Sequence, residues 1–145
     1  MDDLIQEMKV SLASTFAFYL KSHNFHWNVE GPNFPQYHDF LGNLWEETFG
    51  AVDGLAEQLR ALSSYAPGSL SRYAELSIVK DEVNIPAAIA MMTKLSIDNA
   101  ALIVQLTKTQ QLAETNRKFG LANYLQDRID AHEKHAWMLR STIKA

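Results

Sequence analysis

A chain of 145 residues, 47% hydrophobic and 21% charged, is long enough to bury one substantial core and too short for two ordinary domains, so residues 1–145 read as a single globular domain. A net charge of −4 excludes a general attraction to nucleic acid or an anionic membrane, and the absence of cysteine excludes a disulfide framework and thiolate metal sites. The opening "MDDLIQEM" lacks the basic region and apolar run of a signal peptide, and no segment has the roughly 18 uninterrupted apolar residues of a membrane span. The expectation is a soluble cytoplasmic protein with no membrane partner.

Helical periodicity dominates from the start. Leu4, Met8, Leu12, Phe16, Tyr19 and Leu20 recur at helical spacing and predict a first helix from about Asp3 to Asn28, broken by "VEGPNF". A second begins near Asn33 or Phe34, with Asn33 placed to cap and Pro35 tolerated in the first turn, and runs to about Ser63. Its core stripe is Tyr37, Leu41, Leu44, Val52, Leu55, Leu59 and Leu62. Trp45 and Phe49 flank that stripe, with Gly42, Gly50 and Gly54 further round. Each interior glycine costs about 1 kcal/mol relative to alanine, which suggests a second surface approached closely by another helix; a kinked or flexible helix is the alternative.

"SSYAPGSLS" is a turn-rich connector, and "LSRYAELS" has the length of one short extra helix. A third long helix opens at "NIP", with Asn84 as its cap, and carries Ile85, Ile89, Met92, Leu95, Leu102 and Leu106. A fourth follows near Asn116 with Leu121, Leu125, Ile129, Ala136, Leu139 and Ile143. Without strands or internal repeats, the economical architecture is all-α: a four-helix bundle with a short helix in the crossover between helices two and three.

The stretch "HNFHWNVEGPNFPQYHDF" holds three of the five histidines among five aromatic residues. Asp53 and Glu57, four apart on the second helix, are placed to converge on one cation. His38 precedes Asp53 by fifteen residues, or about 22 Å along the axis, too far to share an ion within one chain. An antiparallel second copy about a two-fold axis near Trp45 and Glu46 would set His38 against the partner's carboxylates and create two identical sites. His26, if its helix stays regular, faces inward to join His38. A solvated carboxylate face and a core histidine are the plainer readings of the same residues.

The pattern His26, Trp27, Asn28, Gly31, Phe34 and His38, followed by Asp53 and Glu57, resembles the Dps family of mini-ferritins (DNA-binding proteins from starved cells). The closing "HEKHAWMLR" is similar to that family's last helix, so the likeness spans nearly the whole chain. It implies a ferritin-like subunit, a hollow dodecameric shell, and oxidation of iron at the two-fold interface with storage of ferric mineral inside. Ligands would be His26 and His38 of one subunit facing Asp53 and Glu57 of its mate, a donor set suited to iron. The resemblance further implies hydrogen peroxide as preferred oxidant, with oxygen as the other choice. It also sets Trp27 beside the site, packing the pocket or intercepting an oxidising equivalent. One departure stands out: many relatives have an aspartate where this chain has Gly42, and Asp39 points roughly 60° away from that direction. One well-formed iron position, built by His26, Asp53 and Glu57, and a weaker one leaning on His38 and water are therefore expected.

Other classes fit less well. Ferritin and bacterioferritin use Glu-x-x-His pairs inside one bundle, and no glutamate here has a histidine three residues later. A zincin needs histidines four apart, whereas His132 and His135 are three apart. His132 falls on the core stripe and reads as structural, while Trp137 points away and reads as a subunit contact. DNA binding through a basic tail is not expected from termini reading "MDDLIQEM" and "RSTIKA". A shell that has lost its chemistry, through Gly42, is the remaining alternative.

Overall fold

In the computed structural model, which describes residues 1–145, the apolar recurrence becomes four long helices and one short one, with no strand. They are α1 (Asp2–Asn28), α2 (Phe34–Ala61), α3 (Leu70–Leu76), α4 (Ala88–Thr115) and α5 (Phe119–Ile143). Asp2 and Asp3 in the first turn of α1 suit the positive end of the helix dipole. α1 and α2 pack as one hairpin, α4 and α5 as another, and α1 lies against α4. Leu12, Phe18 and Phe25 of α1, Leu41, Leu44, Leu55 and Leu59 of α2, Leu95 and Leu102 of α4 and Leu125 of α5 meet in one core. Each such side chain contributes roughly 1.5–3 kcal/mol by leaving water. Tyr37, Val52 and Leu62 pack on that core, as their place on the α2 stripe predicts.

Two helix ends are closed by a backbone reversal. After α2 and after α4 the chain passes through the left-handed region at Ser63 (φ 65°) and Arg117 (φ 60°). There Ser63 and Ser64 donate to Arg60 and Leu59, and Arg117 and Lys118 donate to Glu114 and Ala113. This paired reversal satisfies carbonyls that a helix end leaves open, and it is found here without glycine.

Polar side chains then fasten the long crossover to the bundle. Ser14 accepts from the Ile78 amide (3.0 Å), and Asn24 donates to the Glu82 carbonyl (3.2 Å). Lys21 reaches both the Lys80 carbonyl (2.9 Å) and Asp98 (2.8 Å).

Three expectations need correction. Asn84 does not cap α4, which starts at Ala88 with Ala87 in the capping position; Pro86 holds the residue before it extended, so the helix starts beyond it. Ile85 and Ile89 are exposed, and the core stripe begins at Met91 and Met92. Asn116 terminates α4 rather than opening α5, its amide group donating back to the Leu112 carbonyl at 2.8 Å. By length and composition α4 is apolar enough to cross a membrane, and its buried residues Met91, Leu95, Leu102 and Leu106 lie in the bundle core.

Candidate metal centre

α1 ends two residues after His26, and the turn through Gly31 (φ +117°) carries the chain into α2, where His38 stands in the second turn. The carbonyl of His26 belongs to the last turn of α1 and has no helical amide to accept. His38 supplies one: its Nδ1 donates to that carbonyl at 2.8 Å, while the His26 Nδ1 donates to the His38 carbonyl at 2.7 Å. Carbonyl oxygens only accept, so each Nδ1 carries the proton and each Nε2 of the neutral ring keeps its lone pair. The two rings stack at 3.8 Å between centroids with an interplanar angle of 16°, and Phe34 stacks on the outer face of His38 at 5.1 Å.

Gly42 leaves room for this approach, since a Cβ in its place would require the His26 ring to shift by a few tenths of an ångström. A Cβ there would stand 3.1 Å from the His26 Cε1 and 3.3 Å from its Nδ1. At Gly54 a Cβ would overlap the hydroxyl of Tyr124 on α5. Two of the three α2 glycines thus meet side chains from other helices of the same chain, as their reading as a closely approached surface expects, while Gly50 has open space around it.

Further along α2, Asp53 and Glu57 are exposed and close enough to share a hydrogen bond. That bond, together with the like charge of Asp53, holds the Glu57 carboxyl above its ordinary value. A cation between them would relieve the repulsion. Within one chain no three histidine, aspartate or glutamate side chains converge as a metal site. The structure thus brings His26 to His38 and Asp53 to Glu57, and keeps the two pairs apart.

A second polar cluster sits between α2 and α5. Glu47 receives Arg128 through both terminal nitrogens (2.6 and 3.0 Å) and His135 Nε2 (2.8 Å). Burial alone would raise the Glu47 carboxyl, but these bonds and the adjacent cations hold it far below its ordinary value. Arg128 also donates to His132 Nε2 (3.2 Å), so the His132 Nδ1 carries a proton and donates to Asn99 Oδ1 (2.7 Å). Burial and the neighbouring Arg128 charge keep His132 neutral, well below its ordinary value. His132 is structural, as its place on the core stripe predicts, and the Arg128 guanidinium lies between it and Glu47.

Residues 5–145 match the family model for the ferritin-like domain. The DNA protection during starvation protein of Brevibacillus brevis is 31% identical over 134 residues, which cover 92% of this chain and 89% of that protein. The chain belongs to the Dps family of ferritin-like proteins. Dps from Staphylococcus aureus has the same fold with a TM-score of 0.95 and 30% identity, over 100% of this chain and 97% of that one. The DPS protein of Vibrio cholerae O1, a member of a broad superfamily of ferritin-like diiron-carboxylate proteins, matches with a TM-score of 0.94 and 25% identity, over 99% and 90% of the two chains.

In this Dps chain Trp27 is 59% exposed, next to His26 in sequence, and its ring lies 3.9 Å from that of His23. His23, which the sequence reading did not single out, packs its ring on both Trp27 and Trp45. Its signal was present, since Tyr19, His23 and Trp27 follow one another at four-residue steps on one helix face.

Proposed function

We propose that this protein oxidises Fe(II) at sites shared across a two-fold interface and stores the ferric product in a hollow dodecameric shell. His26 and His38 of one subunit face Asp53 and Glu57 of its mate, and hydrogen peroxide, or oxygen, is the oxidant. The observation that carries this reading is the reciprocal bonding of His26 and His38, which commits both Nδ1 atoms to carbonyls and leaves both Nε2 lone pairs for an ion. The paired carboxylates Asp53 and Glu57 supply the negative charge that a ferric product needs, and they are out of reach in the same chain.

The stacked rings also bear on how many ions are held. An imidazole lone pair lies in its ring plane, and two planes within 16° of parallel do not converge on one ion. His26 and His38 therefore serve separate irons. With Gly42 in place of a carboxylate, the iron on His38 has fewer protein ligands and is the weaker of the two. Trp27 packs beside the first.

Protection of DNA, which names the Brevibacillus relative, would follow in this chain from removal of Fe(II) and peroxide in the cytoplasm rather than from binding DNA. Plasmid mobility should then be unchanged by the protein at physiological salt. The site is tested by anomalous scattering from crystals soaked anaerobically with Fe(II). The expected result is a strong iron peak between His26 and the partner's carboxylates and a weaker one at His38. Iron only at other residues would contradict the assignment.

A further inference from the structure

Phe34, His38 and Gly42 follow one another at four-residue steps and stand on one face of α2. The His26 ring of α1 enters this row between His38 and Gly42. It stacks on the His38 ring at 3.8 Å, and a Cβ at Gly42 would stand 3.1 Å from its Cε1. His26 is thus held between His38 and the turn of α2 at Gly42. The His38 ring has His26 on its inner face and Phe34 on its outer face, the latter at 5.1 Å between centroids and 27° between planes. We propose that Phe34 is a positioning residue, the outer wall that keeps the His38 ring in the orientation whose Nε2 lone pair is free, and that it thereby sets how firmly the weaker iron is held. The proposal rests on the proposed function for the identity of the ion; the ring orientation is a property of the metal-free chain.

The need for such a wall comes from the imidazole itself. Turned over about its bond to Cβ, the ring exchanges Nδ1 with Cδ2 and Nε2 with Cε1 while keeping nearly the same shape. Turned so, His38 presents a carbon where its Nδ1 now donates to the His26 carbonyl at 2.8 Å, and its Nε2 leaves its present place. One neutral hydrogen bond on a half-buried residue is a weak restraint against this, because water replaces it. Rings stacked on both faces add what the bond lacks, since a turning ring must first part them. Phe34 is well fixed for that task. Its amide donates to the Gly31 carbonyl at 3.0 Å, and Pro35 stiffens the first turn of α2 directly after it. Phe34 is also 39% exposed and lies outside the apolar core, so its ring serves the histidine rather than the bundle.

The test reads ring orientation without metal and ion binding separately. In assembled, metal-free protein labelled at histidine, ring nitrogen chemical shifts at a pH above the ordinary histidine range report which nitrogen carries the proton. Fe(II) is titrated anaerobically in parallel. The native His38 should be protonated at Nδ1 alone. Phe34→Leu keeps an apolar side chain and removes the flat face. An imidazole released to water favours the proton on Nε2, so an Nε2-protonated population of His38 should appear in this variant. Its weaker Fe(II) affinity should fall about threefold to tenfold, the range an aromatic pair contributes, with the tighter affinity kept within about twofold. Phe34→Tyr, which keeps the face, should behave as the native protein in both readouts. Phe34→Leu with either His38 shifts or weaker affinity as in the native protein would overturn the proposal, as would a Phe34→Tyr variant altered as much as Phe34→Leu. Absence of Fe(II) binding by the native protein would count against the proposed function, and the His38 shifts would still decide the role of Phe34.

Discussion

Two histidine pairs in this chain show how the same side chain is assigned to opposite tasks. His132 and His135 lie in the bundle, where His132 spends both ring nitrogens on Asn99 and Arg128 and His135 gives Nε2 to Glu47. His26 and His38 lie at the α1–α2 turn, where each spends only Nδ1, and on a backbone carbonyl. The first pair is closed by the Asn99 amide and the Arg128–Glu47 ion pair; the second is held by backbone carbonyls and left with two lone pairs. What separates the structural histidines from the candidate ligands here is burial and partner: His132 and His135 are buried and bonded to Asn99, Arg128 and Glu47, whereas His26 and His38 are half-buried and bond only backbone carbonyls through Nδ1.

The largest effect should come from breaking the closed pair. Arg128→Met leaves Glu47 without its cation and His132 without its donor, and should destabilise the subunit by about 3 kcal/mol, near the lower bound for a broken buried ion pair because the Glu47 side chain keeps 37% exposure. Thermal and denaturant unfolding would measure this, and His26→Ala in the same assay should cost less.

Acid should attack the same cluster. The His132 value is lowered in the folded protein, so below its ordinary 6.5 the unfolded chain binds a proton that the folded one refuses, and stability falls. Glu47 is also lowered, so its contribution is present above the ordinary 4.5 and is lost as pH drops further. Unfolding followed from pH 7 to pH 3 should show a decline that starts near the histidine range and steepens near the carboxylate range. Arg128→Met should flatten the second part.

The smallest effect lies on the open side. Glu57 is raised by Asp53, a group that folds more favourably when protonated, so Glu57→Gln should leave stability at neutral pH unchanged or slightly higher. It should nevertheless abolish tight Fe(II) binding in anaerobic titration. Loss of binding without loss of stability is the signature expected of a ligand.

Much of this was legible from residue order because it depended on periodicity. The α2 stripe, the short crossover helix, the structural His132 and the approach of His26 to His38 all follow from spacing along one helix or across one turn. Glu47 and Arg128 were not legible: a charged residue on a helix reads as solvated, and their pairing is made across α2 and α5, between positions 81 residues apart. Gly42 and Gly54 signalled close approach correctly, but spacing does not say whether the visitor comes from the same chain, and here it is His26 and Tyr124. The start of α4 was misread because Asn84 is a good capping residue, while Pro86 after it delays the helix to Ala88.

The central claim is that each site is completed by a second subunit, and coassembly of two inactive variants tests it most directly. His26→Ala and Glu57→Ala homomers each carry a lesion at every site. In a mixed two-fold pair, one site draws His26 and Glu57 from unaltered chains while the other receives both lesions. Each variant is first checked for normal assembly, because an unpaired buried group costs about 1–3 kcal/mol and would mimic lost chemistry. The account predicts that mixed shells regain a fraction of native Fe(II) oxidation. Correctly coassembled mixed shells that remain as inactive as either parent would contradict it.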